Sequence, residues 1–221
     1  AQRTRLPKNV SVAHDLEGGR LNAPAAERNA PAITEMIRQH AAPTGKALEI
    51  ASGTGQHVVA FAAALPGLAW QPTEIDAARR HSINAWAKQA DLPNLHPAIA
   101  LDATTPGWSR QHVGYDVMVL INLTHLISAP ETQIIFNEVA NTLAPGGRFF
   151  LYGPFLRDGV ATSEGDKTFH ASLRAKDPEI GYKDTGDIYD WLQIAGLDVV
   201  QMEEMPANNL MIISEAPQGK Q

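Results

Sequence analysis

Leu48-Glu49-Ile50-Ala51-Ser52-Gly53-Thr54-Gly55-Gln56-His57 decides how this chain is read: an apolar run enters Gly-x-Gly, and a helix-like run leaves it. Glycines allow a tight turn and a close backbone approach to a ligand, and the first N–H groups of the following helix lack intrahelical partners. A plain turn joining strand to helix is the alternative. A dinucleotide loop carries a third glycine three residues after the second, and Val58 stands there instead. Glu49 sits badly beside a pyrophosphate and well beside an ammonium group. Glu74 ends the next strand-like run about 20 residues on, the distance at which a carboxylate accepts both ribose hydroxyls. A helix cap is its structural alternative.

Outward from this loop, strands and helices alternate. Residues 46–51 read as a buried strand, 56–65 as a helix, 68–74 as a second strand and 76–89 as a helix with Asp76 at its N-cap. Residues 95–101 and 115–122 are the third and fourth strands; a helix over 131–143 and a turn over 144–147 lead to a strand over 148–153. This rhythm predicts a parallel sheet covered on both faces. Strands over 197–204 and 210–214 are joined by Met205-Pro206-Ala207-Asn208-Asn209, too short for a crossover helix, so they pair antiparallel. The expected fold is α/β: a doubly wound, mostly parallel, seven-stranded Rossmann-like sheet ending in an antiparallel hairpin.

One domain accounts for residues 1–221. An arm and a helix over 1–45, with Ile33, Met36, Ile37 and His40 at helical spacing, form a lid. Residues 46–153 form the core, the polar stretch 154–184 a cap over the sheet edge, and 185–214 the final helix and hairpin. At 44% apolar and 19% charged the chain can bury a core. Its net charge of −6 lacks the basic footprint of a nucleic-acid binder. With no cysteine, disulfides, thiolate metal sites and cysteine nucleophiles are excluded. No apolar run approaches the ~20 residues of a membrane helix, and the polar N-terminus has no signal core, so a cytoplasmic location is expected. The histidines are scattered without His-x-x-x-His spacing, so no metal site is expected.

The chain resembles the class I S-adenosylmethionine-dependent methyltransferases through Glu49–Gly55, Glu74-Ile75-Asp76, Leu101-Asp102-Ala103 and Leu143-Ala144-Pro145-Gly146-Gly147, in the order that superfamily shows. It is further similar to a family of methyltransferase-like proteins of about this length, the domain-of-unknown-function 938 type. That likeness rests on Pro24-Ala25-Ala26-Glu27-Arg28-Asn29, Gly53-Thr54-Gly55-Gln56-His57, Leu151-Tyr152-Gly153-Pro154, Ser172-Leu173-Arg174 and Met205–Leu210. Two places depart from it: Asn122-Leu123-Thr124-His125 replaces a Met-Ile-His-like run, and Phe169-His170 stands where an acid usually precedes Ser-Leu-Arg. The resemblance implies S-adenosyl-L-methionine as cofactor. Gly53 and Gly55 would lie under its methionine part, Glu49 would face the ammonium group directly or through water, and Glu74 would hold the ribose. Ile75 would lie against the adenine, Asp102 and the Ala103 N–H would read its edge, and Asn122 would touch cofactor or acceptor through its backbone. A strand-end cap is the alternative for Asp102, and a structural turn asparagine an equal one for Asn122.

Methyl transfer asks mainly for in-line positioning and, for some acceptors, a base. His125, just past the fourth strand, is the candidate base; a structural donor is its alternative. Tyr152 and Arg174 are candidate acceptor contacts, set against strand packing and a surface ion pair. If the penultimate strand is parallel to the others, Asn208 and Asn209 reach the cofactor edge, as acceptor ligands or as turn formers. Arg28 is placed to neutralise the cofactor carboxylate from the lid. The expected activity is methyl transfer to a small molecule, with a homodimer allowed for and neither nucleic acid nor membrane as partner. The competing readings are a non-catalytic cofactor-binding protein, a protein methyltransferase and a nicotinamide-dependent oxidoreductase.

Overall fold

The computed structural model describes residues 13–219; the first part of the expected arm, residues 1–12, lies outside the described residues. A two-stranded antiparallel ribbon, β1 (His14–Asp15) and β2 (Leu21–Asn22), leads into α1 (Pro24–His40). Then follow β3 (Gly45–Ile50), α2 (Gln56–Ala64), β4 (Leu68–Pro72), α3 (Ala77–Ala90), β5 (Tyr115–Ile121), α4 (Ala129–Thr142) and β6 (Leu143–Gly153). The chain ends with α5 (Glu164–Lys176), α6 (Thr185–Ile194), β7 (Asp198–Glu204) and β8 (Leu210–Glu215). No described helix is long and apolar enough to cross a membrane.

The central sheet has six strands in the order β4-β3-β5-β6-β8-β7, not the seven expected. The missing strand is the one read over 95–101, which makes only two isolated bridges to the β4 edge, Trp70 to Leu95 and Thr73 to Ile99. Between them Pro72 and Pro97 lack the N–H groups a ladder requires. The His96 and Ile99 N–H groups still donate to the Trp70 and Pro72 carbonyls at 2.9 and 3.2 Å, but the Ala98 N–H between them bonds Asn84 Oδ1 at 2.9 Å, so the ladder is interrupted. The antiparallel hairpin forms as expected: β8 runs antiparallel to both β6 and β7. β7 therefore runs with the parallel strands, and the 206–208 turn lies at the same sheet edge as the glycine loop.

Strand alternation sorts the core into two faces. Leu48, Ile50, Met118, Leu120, Phe149 and Leu151 meet α4 and α6 on one side. Ala47, Val117, Val119, Phe150 and Met211 meet α1 and α2 on the other, so Glu49 points to that second side. The cap is not merely polar loop. It contains α5, started by the Ser163 side chain accepting from the Asp166 N–H, and a third small core of Leu126, Leu173, Ile180 and Tyr182. Val160, also in the cap, remains 64% exposed and takes no part in that core.

Candidate active site

The glycine loop lies between β3 and α2 at the carboxyl edge of the sheet, the position at which open α/β sheets bind ligands. Gly55 adopts φ 99°, and a Cβ there would come within 2.7 Å of the Ile83 backbone, so no larger residue fits. Gly53 is also left-handed, at φ 61°. Its N–H donates to Glu74 Oε1 at 3.2 Å, while the Asp76 N–H donates to Oε2 at 2.9 Å. The carboxylate is thus fixed at the loop by two backbone donors, and each oxygen retains acceptor capacity. Burial raises its pKa against those opposing bonds. Ile75, beside it, is half exposed.

Glu49 is 2% exposed, and its Oε1 has no hydrogen-bond partner. Burial drives its carboxyl to a pKa of about 8; the Ser52 hydroxyl opposes the shift and the Glu74 charge adds to it. A buried carboxyl group with one oxygen unpartnered beneath a glycine loop is costly and ready to receive a donor. On the other side of the loop, His57 is buried with Nδ1 unpartnered and its pKa lowered to about 4 by burial.

Asp102 is committed to its own turn: Oδ1 accepts from the Thr104 N–H at 3.0 Å and Thr104 Oγ1 at 2.6 Å, and Oδ2 from Thr105 Oγ1 at 3.0 Å. Ala103 is buried, its carbonyl accepting from Trp108 Nε1 at 3.1 Å. Asn122 ends β5 in a left-handed conformation, φ 56°, and its N–H donates to the Tyr152 carbonyl at 2.9 Å. Tyr152 is buried in the strand, and its hydroxyl accepts from Asn209 Nδ2 at 2.9 Å. Asn122, Tyr152 and Asn209 are thereby joined across three elements. Asn208 is exposed and left-handed, its carbonyl accepting from Arg157 at 3.3 Å.

His125 lies in a short turn after β5 and faces the cap, not an open cleft. Phe169 and Tyr182 meet its ring edge-on at 5.9 Å each, Nδ1 is unpartnered, and burial with the nearby Lys183 lowers its pKa to about 3. Lys183 donates to the carbonyls of Ile127 and Gly181, tying the cap to the turn. Tyr182 in turn donates to Asp166 at 2.7 Å. Arg174 is exposed on α5, its stem beside Gly181, and nothing brings it to the glycine loop. Arg28 is exposed on α1 with no ion-pair partner among the described residues. A cleft of about 550 Å³ lies in the cap, lined by Leu156, Thr162, Ser163, Lys167 and His170. A second, of about 500 Å³, lies around Gly107, Arg110 and Glu138, ahead of β5 and away from the loop.

Sequence reasoning missed the side chains that hold this edge together: Gln56, Ser82, Asp166 and Lys183. Gln56 could have been found, because it stands in the glycine motif, and so could Asp166, three residues after the cap Ser163; Ser82 and Lys183 carry no local signal.

A glycine loop after the first sheet strand, an acid after its neighbour and a last strand slid antiparallel into a parallel sheet define a methyltransferase-like α/β fold. Solved structures agree on the fold. An O-methyltransferase family protein from Burkholderia thailandensis is 16% identical with a TM-score of 0.75, over 89% of this chain and 57% of that one. An O-methyltransferase family 2 protein from Planctomyces limnophilus, solved with apigenin, is 18% identical with a TM-score of 0.75, over 86% and 58%. Human N-acetylserotonin methyltransferase, solved with S-adenosylmethionine, is 12% identical with a TM-score of 0.65, over 80% and 48%. The chain thus spans about half the length of these proteins. Residues 20–215 match the model of the family described as "Protein of unknown function (DUF938)", and the chain belongs to that family.

Proposed function

We propose that this protein is an S-adenosyl-L-methionine-dependent methyltransferase acting on a small molecule. The observation that carries the reading is the pairing of two buried acids at one glycine loop: Glu49 with an unpartnered oxygen, and Glu74 held by two backbone N–H groups with acceptor capacity to spare. This set of acceptors fits the cofactor. Glu49 offers an acceptor for its ammonium group, Glu74 accepts from its ribose hydroxyls, Gly53 and Gly55 leave room for its methionine part, and Ile75 presents an apolar face to the adenine. Asp102 is held by its own turn, with Oδ1 taking two hydrogen bonds and Oδ2 one, so Oδ2 keeps acceptor capacity for the adenine edge beside the backbone N–H of Ala103. Arg28 reaches the cofactor carboxylate from α1.

When bound, the cofactor supplies a methyl group on a positively charged sulfur that is its own leaving group. The chain's residues then position and enclose the reactants. The linked Asn122, Tyr152 and Asn209 are our candidates for a polar rim on the acceptor side, with Asn208 on the hairpin turn and Arg174 on the cap as further candidate acceptor contacts. His125 is sealed by Phe169 and Tyr182, so it serves as a base only when the cap lifts. The fall in its pKa leaves it neutral at physiological pH.

Two measurements test the reading. Titration calorimetry should show binding of S-adenosylhomocysteine and none of NAD or NADP. Cell extract supplied with the labelled methyl donor and the protein should yield a labelled compound of low molecular mass. Label found only in protein or RNA would move the acceptor out of the small-molecule class, and binding of the nicotinamide dinucleotides alone would overturn the cofactor.

A further inference from the structure

The family-like run Gly53–His57 contains a side chain that the cofactor reading does not use. Gln56, the first residue of α2, accepts from the Ala23 N–H at 2.7 Å and from Thr54 Oγ1 at 2.8 Å, and its Nε2 donates to Asn22 Oδ1 at 2.7 Å. The orientation of its amide is not arbitrary. A backbone N–H can only donate, so the oxygen must face Ala23 and the nitrogen must face Asn22. A second bridge runs parallel to it: Ser82 Oγ accepts from the Leu21 N–H at 2.8 Å and donates to the Thr54 carbonyl at 2.7 Å. Residues 21–23 of the N-terminal strap are thus fastened at two points to Thr54. Thr54 adjoins Gly53, whose N–H holds Glu74.

We propose that Gln56 is a positioning residue that couples the N-terminal strap to the glycine loop, so that strap docking and ligand binding at the loop reinforce each other. The physical basis is continuity. Every link from Ala23 to the Glu74 carboxylate is a hydrogen bond or a peptide bond, and a group fixed at one end narrows the freedom of the other. Coupling of this kind is reciprocal: whatever factor the ligand adds to strap closure, closure adds to ligand affinity. The strap has an independent anchor, the Trp86 indole N–H on the Leu21 carbonyl at 2.8 Å, so loss of Gln56 loosens it without detaching it.

Amide hydrogen exchange on the wild-type and Gln56→Met proteins tests the coupling. Without ligand, the variant should exchange the Ala23 amide at least about tenfold faster, and the Gly53 amide should speed up with it. A fast Ala23 beside an unchanged Gly53 would mean that the strap hangs on the loop without influencing it, and would overturn the proposal. The ligand arm rests on the cofactor reading. S-adenosylhomocysteine should slow Ala23 exchange in the wild type, and its affinity should fall in Gln56→Met by about the factor by which that protection is lost. Wild-type affinity in a folded Gln56→Met protein would also overturn the coupling. If the wild type binds no S-adenosylhomocysteine, the cofactor reading fails while the ligand-free exchange still decides the coupling. Should Gln56→Met not fold, Ser82→Ala poses the same question through Leu21 and Gly53, with the same two outcomes.

Discussion

Glu49 is a residue whose chemistry departs far from its ordinary state, its pKa raised by burial to about 8. Below its usual value of 4.5 it is protonated in folded and unfolded chains alike; between 4.5 and about 8 the unfolded chain releases a proton that the folded chain keeps. Its contribution to stability is therefore full at low pH and is lost as pH rises toward 8, at up to about 1.4 kcal/mol per pH unit. Glu49→Gln should flatten this fall, leaving the variant at least about 1 kcal/mol more stable than the wild type at the alkaline end. Denaturant unfolding across the pH range measures it, and parallel profiles would show that Glu49 is ionised in the folded protein. The same protonated state implies that an ammonium ligand releases about one proton at pH 7 when it binds, which calorimetry in buffers of different ionisation enthalpy counts. Glu74, held by backbone donors, tests the ribose assignment. Glu74→Ala should weaken S-adenosylhomocysteine binding at least ~tenfold, ~1.4 kcal/mol, with the fold intact.

Among the elements, the cap has a small core of its own. Its core is Leu126, Leu173, Ile180 and Tyr182, separate from the two sheet-face cores. A small independent cluster opens at lower cost than the sheet does. Leu173→Ala should remove about 2–4 kcal/mol locally. The α5 amides should then exchange faster while those of β3, β5 and β6 keep their rates; uniform acceleration would show that cap and sheet unfold together. Because the cap carries Arg174 and covers His125, Leu173→Ala and Arg174→Ala should each lower turnover at least ~tenfold while leaving cofactor affinity nearly unchanged. Loss of cofactor affinity with normal turnover at saturation would place the acceptor elsewhere. The missing strand belongs to this scale too. Residues 95–101 have the apolar content of a strand, but a ladder needs N–H groups on both partners, and the prolines that deny them stand in different segments.

For the whole molecule, ligand binding and folding are linked. S-adenosylhomocysteine at about 100 times its Kd should add about 2.7 kcal/mol to the folded state, which for a domain of this size raises Tm by about 5–10 °C. Thermal unfolding with and without ligand measures this, and a Tm raised by NAD but not by S-adenosylhomocysteine would sink the cofactor assignment.

Much of the architecture was legible without coordinates, because the features that specify it are local. The turn into α2 needs glycine at φ 99° on account of one close backbone, Asp76 caps α3 through a residue three places on, and the short link between β7 and β8 leaves only an antiparallel pairing. Chemistry within a few residues of itself is written in order along the chain. The sequence therefore determined the α/β class, the loop, the two acids beside it and the final hairpin. Tertiary structure decided what depends on partners far apart in sequence. Pro72 and Pro97, from different segments, interrupted a strand ladder, and Phe169 and Tyr182 closed over His125. Gln56 and Ser82 joined the N-terminal strap to the loop. Each of these outcomes is a pairing, and a side chain's partner across space is chosen by packing and by the need to satisfy buried donors and acceptors, which no single stretch of sequence contains.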